Sequence, residues 1–158
     1  TGVLIAGEGV PLDAVVADFV AGAAEQLSPA AADDHWDLVE GQGSLFHPAY
    51  AGVSMGLLHG SQPDWFVLCH DPSRAHVDGY PDQALPSLTE AIDLHERCGR
   101  VTSPGIRCAG ISLNTAKLDD AAFEQAVADA AEETGLPVVD PLRGGVDAIV
   151  DRLLGAGG

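Results

Sequence analysis

Basic residues are scarce in this sequence. Seven lysines and arginines, of which Lys117 is the single lysine, stand against 24 aspartates and glutamates, and the formal net charge is −17. A field of that sign repels the phosphates of nucleic acids and anionic membrane surfaces, so we expect neither as a partner. Most acidic side chains are expected on solvated helix faces; capture of a cationic ligand is the alternative interpretation.

Long apolar runs and paired cysteines are also missing. Stretches such as residues 65–69 are far too short to span a bilayer. The three cysteines, Cys69, Cys98 and Cys108, are odd in number and fall in predicted strands and helices, so disulfides are not expected. This cysteine usage predicts a reducing, cytoplasmic compartment. Hydrophobic residues make up 46% of the 158 positions, enough for a folded core.

Short apolar runs alternate with helical patterns along the whole chain, which is typical of βαβ units and a parallel sheet. Strands are predicted at 3–6, 36–39, 65–69, 108–113 and 138–139. Helices are predicted around 11–27, 50–60, 87–99, 119–130 and 146–154. We therefore predict one α/β domain over residues 1–158, with a parallel sheet of about five strands flanked by helices in a three-layer sandwich.

Three local patterns refine this prediction. Gly52, Gly56 and Gly60 are spaced four apart on one helix face, which indicates close approach to another backbone or to a ligand. Ser87 and Glu90 match a capping box at the start of a helix, and the 14 residues before it are expected to form a long loop. Because a strand-like run opens the chain without neighbours, we expect an amino-terminal portion to precede it.

Ligands of open parallel sheets bind beyond the carboxyl ends of the strands. The richest segment there is Glu40-Gly41-Gln42-Gly43-Ser44, followed by His47. Its two glycines would let backbone N–H groups approach an anion closely. Glu40 is a candidate magnesium ligand or base, whereas Ser44 and His47 are candidates for donating hydrogen bonds or moving protons. The alternative is a tight turn in which Glu40 caps local backbone.

Two further connections carry polar side chains. His59, Ser61 and Gln62 end a predicted helix, and His70 follows the third predicted strand. Histidine titrates near neutral pH and suits acid–base work, although a lone histidine is as often a surface or buried structural residue. Arg74 follows closely, and a guanidinium at that place can hold a carboxylate or phosphate with two parallel hydrogen bonds.

Other chemistry has weaker support. The spacing of His47, His59 and His70 neither supports nor excludes a zinc site, and no Cys-x-x-Cys or His-Glu-x-x-His motif is present. No Gly-x-Ser-x-Gly nucleophile elbow is present, because the sequence match at residues 52–56 lies within the helix predicted at 50–60 and not at a strand-to-helix turn. The other three histidines are expected to have no role in a site: His35, His76 and His95.

The sequence has no Gly-x4-Gly-Lys-Ser/Thr phosphate-binding loop. A strand-end Glu40 before Gly-x-Gly and a strand-end Asn114 nevertheless resemble P-loop synthetases of the dethiobiotin synthetase kind. That resemblance implies a P-loop-NTPase-like topology, with Glu40 helping to hold Mg²⁺ and Asn114 contacting a nucleotide base.

A longer resemblance covers nearly the whole chain. Residues 39–54 read Val-Glu-Gly-Gln-Gly-Ser-Leu-Phe-His-Pro-Ala-Tyr-Ala-Gly-Val-Ser, and the match continues through 56–64 and 67–70, with support at 2–7, 11–19 and 135–141. This pattern resembles the carboxyl-terminal P-loop-like domain of the DgcN-type family, whose named activity is D-glutamate N-acetyltransferase. The resemblance implies that the chain is the carboxyl-terminal part of a larger two-domain protein.

The function expected on this basis is transfer of an acetyl group from acetyl-CoA to the amine of an acidic amino acid such as D-glutamate. Arg74 would bind a substrate carboxylate, and His47, or else His59 or His70, would accept the proton of the attacking amine. Backbone N–H groups around 41–44 would hold a phosphate or stabilise the oxyanion. The expected partners are a small-molecule substrate, the protein's own amino-terminal domain and further copies in a homo-oligomer.

Two alternatives stay open at this point. The first is an ATP- and Mg²⁺-dependent ligase or kinase-like enzyme that uses Glu40. The second is a non-catalytic binding or oligomerisation module, which predicts an exposed apolar face around Gly52, Gly56 and Gly60.

Overall fold

The computed structural model describes residues 9–155, which form two compact units. The first unit contains residues 9–63 and 97–105, and the second contains residues 64–96 and 106–155. The strand predicted at 3–6 lies outside the described residues. That residues 1–158 form one domain of a larger two-domain protein stays a prediction.

Five strands and five α-helices are described. The strands are β1 (Trp65–His70), β2 (His76–Val77), β3 (Tyr80–Ala84), β4 (Arg107–Leu113) and β5 (Val138–Val139). The helices are α1 (Val20–Gln26), α2 (Ala51–Ser61), α3 (Leu88–Gly99), α4 (Asp120–Thr134) and α5 (Asp147–Gly155). Within residues 9–155, no helix combines the length and apolar character needed to cross a membrane.

The second unit is built on a parallel sheet with the strand order β1-β4-β5. The predictions of strands at 65–69, 108–113 and 138–139 are thereby confirmed. The pairing of β1 with β4 shifts register once, so that Phe66 pairs with Cys108 and Val67 with Gly110. Ala109 is the extra residue, and it resets which side chains of β4 point to each face of the sheet.

Helices cover both faces of this sheet. On one face, buried Cys108, Ile111 and Leu113 of β4 pack with Leu88 of α3 and Ala130 of α4. The opposite face has its own core cluster, which contains Ala109 of β4, Val139 of β5 and Ile149 of α5. The predicted α/β class with a parallel sheet between helix layers is confirmed, with three of the five predicted strands in the described sheet.

Gly110 shows how closely the layers approach. A Cβ atom at this position would lie 2.7 Å from the Pro137 carbonyl oxygen and 2.8 Å from Ile149 Cγ1. Contacts that short do not occur between real side chains, so glycine is required where β4, the start of β5 and α5 meet.

Local capping explains where two helices begin. The Glu90 N–H donates to Ser87 Oγ over 3.2 Å, so Ser87 is the N-cap of α3 as the sequence predicts. Asp119 extends the same principle to α4, because its carboxylate accepts from the Ala122 N–H over 2.9 Å. Both helices therefore start where a side-chain oxygen satisfies an otherwise unpaired backbone donor.

Three predictions need correction. Residues 36–39 are not a strand: no described strand pairs with them, and Leu38 is 93% exposed. The long loop predicted before α3 contains the antiparallel hairpin of β2 and β3. The first predicted helix is broken into two 3₁₀ turns, Leu12–Ala14 and Ala17–Phe19, before α1 begins.

In the first unit, α1 packs against the glycine face of α2. A Cβ at Gly60 would lie 2.1 Å from the Ala21 carbonyl oxygen, and one at Gly56 would lie 2.4 Å from Val20 Cγ1. Nothing lies within 4 Å of a Cβ at Gly52. The predicted close approach is thus to another backbone, and α1 covers Gly56 and Gly60, which the oligomerisation alternative had left exposed.

These contacts predict opposite effects of the same substitution within one helix. Gly60→Ala should lower the free energy of unfolding by about 1–3 kcal/mol, since α1 and α2 must separate to admit the methyl group. Gly52→Ala should raise it by up to ~1 kcal/mol, because alanine favours a helix and the position is open. Urea unfolding of both variants measures the two shifts. A stabilised Gly60→Ala variant would refute the close packing.

Candidate active site at the carboxyl ends of the parallel strands

His70 and Asp71 lie at the carboxyl end of β1. Asp71 Oδ1 accepts hydrogen bonds from the Ser73 N–H over 2.9 Å and from Ser73 Oγ over 2.5 Å. These bonds are the main reason why the pKa of Asp71 lies below its usual value, and nearby Lys117 lowers it further. Asp71 is therefore a fixed, ionised carboxylate at this edge of the sheet.

Two cations meet at the other oxygen of the same carboxylate. Arg74 Nε and Lys117 Nζ each lie 3.5 Å from Asp71 Oδ2. Lys117 Nζ also lies 3.5 Å from Ser73 Oγ. The single lysine of the chain is thus placed beside Arg74, although 43 residues separate them in the sequence. We call Asp71, Ser73, Arg74 and Lys117 the charged cluster.

The ends of β4 and β5 are tied together by a buried carboxylate. Asp140 Oδ2 accepts from the Thr115 N–H over 3.2 Å and also from Thr115 Oγ1, while Asp140 Oδ1 accepts from the Leu142 N–H over 2.9 Å. Thr115 is fully buried and Asp140 is 5% exposed. The Thr115 bond is the largest cause that holds the pKa of Asp140 below its ordinary value.

Asn114 directly follows β4 and makes hydrogen bonds to residues on both sides of it at this edge of the sheet. Its N–H donates to the His70 carbonyl oxygen over 2.8 Å, and its Oδ1 accepts from the Ala116 N–H over 3.3 Å. The first bond joins the end of β1 to the end of β4. The structure therefore brings together three of the predicted site residues, His70, Arg74 and Asn114, at one edge of one sheet.

His70 has the environment of a neutral imidazole. Burial lowers the pKa of the His70 imidazole from its ordinary value of 6.5, and the negative charges of Asp71 and Glu133 only partly oppose this shift. Among residues 9–155, no hydrogen bond engages either of its ring nitrogens. A neutral ring of this kind offers a lone pair that can accept a proton near pH 7.

The remaining predicted residues lie in the first unit. The segment from Glu40 to Ser44 is exposed up to Gly43 and does not follow a strand, so its predicted strand-end position is wrong. Gly43 has a φ of +55°, and a Cβ there would lie 2.7 Å from Tyr50 Cβ. Gln42 accepts a hydrogen bond at its carbonyl oxygen from Ser54 Oγ. These contacts show a turn held against the start of α2.

Ser44 and His47 take part in the same turn. Ser44 Oγ accepts from the Phe46 N–H over 3.1 Å, and His47 Nδ1 accepts from the Ala49 N–H over 3.1 Å. The His47 ring lies 4.3 Å from the Tyr50 ring, centroid to centroid. Because its Nδ1 accepts, a neutral His47 carries its proton on Nε2 and acts there as a donor.

Helix α2 positions His59, Ser61 and Gln62 at its end. His59 Nε2 donates to the Cys98 carbonyl oxygen over 3.0 Å, and Ser61 Oγ donates to the Leu57 carbonyl oxygen over 2.7 Å. Gln62 ends the helix in the left-handed conformation, with a φ of 47°. His59 and Ser61 thus make local structural hydrogen bonds in the first unit.

A metal site does not assemble from the described side chains. Across residues 9–155, no group of three or more His, Cys, Asp or Glu is placed to hold one metal ion. Glu40 is exposed and belongs to no such group within that range. That Glu40 holds Mg²⁺ stays a prediction.

Sequence reasoning missed Lys117 and gave Asp140 no role. Asp140 directly follows β5, so the strand-end rule applies to it as well. Lys117 carried a weaker signal: it is the single lysine of the chain and lies three residues after the strand-end Asn114.

The fold and this edge of polar side chains define a class of protein: an α/β domain with a parallel sheet between helix layers, whose ligand site is expected at the carboxyl ends of the strands. The chain belongs to the DUF1611 family, and it matches the family's carboxyl-terminal P-loop domain, a domain of unknown function, over residues 1–150.

Curated relatives and a solved structure agree with this family. The chain is 49% identical over 152 residues to a D-glutamate N-acetyltransferase from Pseudoalteromonas sp, covering 96% of this chain and 46% of the relative. It is 51% identical over 156 residues to a protein of the same name from Tritonibacter scottomollicae, covering 97% and 46%. The crystal structure of a DUF1611 family protein from Anabaena variabilis matches with a TM-score of 0.86 and 39% identity, covering 98% of this chain and 45% of that one.

Proposed function

We propose that this chain is part of an N-acyltransferase that moves an acetyl group from acetyl-CoA to the amine of an acidic amino acid, D-glutamate in the first place. One observation carries the proposal: two relatives that bear the name D-glutamate N-acetyltransferase are 49% and 51% identical across almost all of this chain. The chain spans 46% of the length of each relative, so the proposal concerns the whole protein.

The second unit supports this chemistry with a base beside a group of cations. Amide formation needs an uncharged amine, which attacks the thioester carbonyl carbon; an N–C bond forms, the C–S bond breaks, and CoA leaves as the thiol. His70 has a lowered pKa and can accept the proton that the amine loses. Arg74 can bind a carboxylate of the acceptor at the same edge of the sheet.

The first unit supplies the other candidates. His47 can donate a hydrogen bond from Nε2, and the backbone N–H groups of Gly41–Ser44 can hold a phosphate or stabilise the oxyanion that forms in the reaction. His59 is the third candidate base, but its Nε2 already donates to a backbone carbonyl. The structure therefore favours His70 as the base over the two histidines of the first unit.

The direct test is product formation by the whole protein. We expect acetylated D-glutamate and free CoA to appear together in a mass-spectrometric and thiol assay with acetyl-CoA. L-glutamate and D-alanine serve as matched acceptors that change the stereochemistry and the side-chain carboxylate. A parallel reaction that contains ATP and Mg²⁺ tests the ligase alternative. ATP consumption that depends on an acceptor, with no transfer from acetyl-CoA, would refute the acyltransferase and support the ligase.

A further inference from the structure

The charged cluster stands out against the electrostatics of the chain. The net charge is −17 and only seven residues are basic, yet Arg74 and Lys117 share one carboxylate oxygen of Asp71. A protein this acidic has no general attraction for anions, so a local group of cations marks a place where an anionic ligand can be held. Two cations against one carboxylate leave the Arg74–Asp71–Lys117 group with a formal charge of +1.

Asp71 positions the two cations without saturating them. Both ion pairs are 3.5 Å long, whereas strong charge-assisted hydrogen bonds measure ~2.7–2.9 Å. The side chain of Asp71 is 15% exposed, and those of Arg74 and Lys117 are 52% and 68% exposed. The cation heads therefore reach solvent, and the guanidinium and ammonium groups keep donors that Asp71 does not use.

The third cation of this region differs. Arg143 Nη1 donates to Asp120 over 2.9 Å, Nη2 donates to the Leu118 carbonyl oxygen over 2.6 Å, and the guanidinium lies over the Phe123 ring. These three contacts hold its head against α4. Arg143 thus braces the segment that carries Lys117, and its own guanidinium is more fully engaged than the cationic groups of Arg74 and Lys117.

We propose that Lys117, together with Arg74, binds an oxyanion group of a substrate at the carboxyl edge of the sheet, and that Asp71 and Ser73 position the two cations for it. The inference rests on the proposed function for the identity of the substrates. The oxyanion that the two cations bind is either a carboxylate of the acidic acceptor or a phosphate of the CoA donor. The residual charge of +1 matches a single carboxylate.

The test replaces Lys117 in the whole protein. Lys117→Gln removes the charge and keeps the length of the stem, Lys117→Arg restores the charge, and Arg100→Gln is the matched control that changes the net charge equally outside the charged cluster. We expect Lys117→Gln to raise the KM of one substrate at least ~10-fold with kcat changed less than about threefold, since a hydrogen bond to a charged group is lost. Lys117→Arg should recover most of the affinity.

The substrate whose KM rises identifies the source of the anion. A rise for D-glutamate alone assigns the site to an acceptor carboxylate, and a rise for acetyl-CoA alone assigns it to a donor phosphate. Unchanged KM values for both substrates in Lys117→Gln, while the wild-type protein is active, would overturn the inference but not the proposed function.

Calorimetric titration distinguishes a failure of the anion site from a failure of the proposed acetyltransferase function. If the wild-type protein forms no acetylated product, D-glutamate and CoA are titrated directly into the wild type, Lys117→Gln and Arg100→Gln. Weaker binding of either ligand in Lys117→Gln alone would uphold the anion site without the acetyltransferase. No binding of either ligand to the wild type, or equal binding to all three proteins, would overturn the site.

Discussion

Replacing Asp140 with alanine is expected to lower the free energy of unfolding by about 3–5 kcal/mol. The substitution leaves three donors without their acceptor: the Thr115 N–H, the Thr115 hydroxyl and the Leu142 N–H. Thr115 is fully buried, and each buried donor without a partner costs about 1–3 kcal/mol. Urea unfolding followed by circular dichroism, with the m-value compared, measures the change.

Asp119→Ala is the matched control, because it removes the same side chain from an exposed place. Asp119 accepts one N–H at the start of α4, and loss of such an N-cap costs about 1 kcal/mol. Equal destabilisation by the two substitutions would show that Asp140 acts only as a local cap. In that case the hydrogen bonds between the ends of β4 and β5 would contribute no more to the free energy of unfolding than an ordinary helix cap does.

The hydrogen bonds of Asp140 also lead us to expect that the protein loses stability in acid. The pKa of Asp140 is lowered in the folded state, chiefly by the Thr115 hydrogen bond, so the folded state binds the proton less readily than the unfolded state. Its contribution is complete above the unfolded-state pKa of about 3.9 and is lost as the pH falls through the lower folded-state pKa. Asp140→Asn should therefore flatten the pH dependence of stability below pH ~4.

Replacing His70 with glutamine is expected to reduce turnover at least ~100-fold in the whole protein. Glutamine keeps a polar side chain of similar reach but cannot accept the amine proton as a base, and general base catalysis contributes about 10²–10⁴-fold. The measurement is kcat for acetyl transfer to D-glutamate, with the melting temperature confirming the fold. His76→Gln, an exposed position of the β2–β3 hairpin, is the matched control and should keep wild-type turnover.

The pH profile adds a readout that a structural role would not give. His70 must be neutral to act as a base, and burial lowers its pKa below 6.5. The acid limb of kcat/KM should therefore fall below pH 6.5 and disappear in His70→Gln. A near-wild-type rate for His70→Gln, with a ~100-fold loss in His47→Ala, would assign the base to His47 instead.

The amino-acid pattern alone was enough for the three parallel strands of the second unit and for the starts of two of its helices, but not for the hairpin of β2 and β3. The runs that became β1, β4 and β5 are short, apolar and bounded by turn residues, and Ser87 and Asp119 mark where α3 and α4 begin. These signals are local, since the length and apolar composition of a run, and a capping side chain before a helix, are features of neighbouring residues in the sequence. The strand-end rule also placed His70 and Asn114 at the ends of predicted strands, and the structure joins these ends through the hydrogen bond from the Asn114 N–H to the His70 carbonyl oxygen.

Residues 36–39 show where local signals fail. Their composition permits a strand, but a strand exists only when another strand pairs with it, and none does within residues 9–155. The glycines of α2 show a partial success. Their spacing predicted close approach, whereas only the structure showed that α1 lies against Gly56 and Gly60 and leaves Gly52 open.

What the sequence determined by itself is therefore the α/β class, the family and the edge of the sheet where chemistry is expected. The tertiary structure decided which side chains meet there. Lys117 lies 46 residues from Asp71, and Thr115 lies 25 residues from Asp140, yet each pair is in contact. No periodicity encodes such distant pairs, because they arise only when parallel strands bring their carboxyl ends to one edge of the sheet.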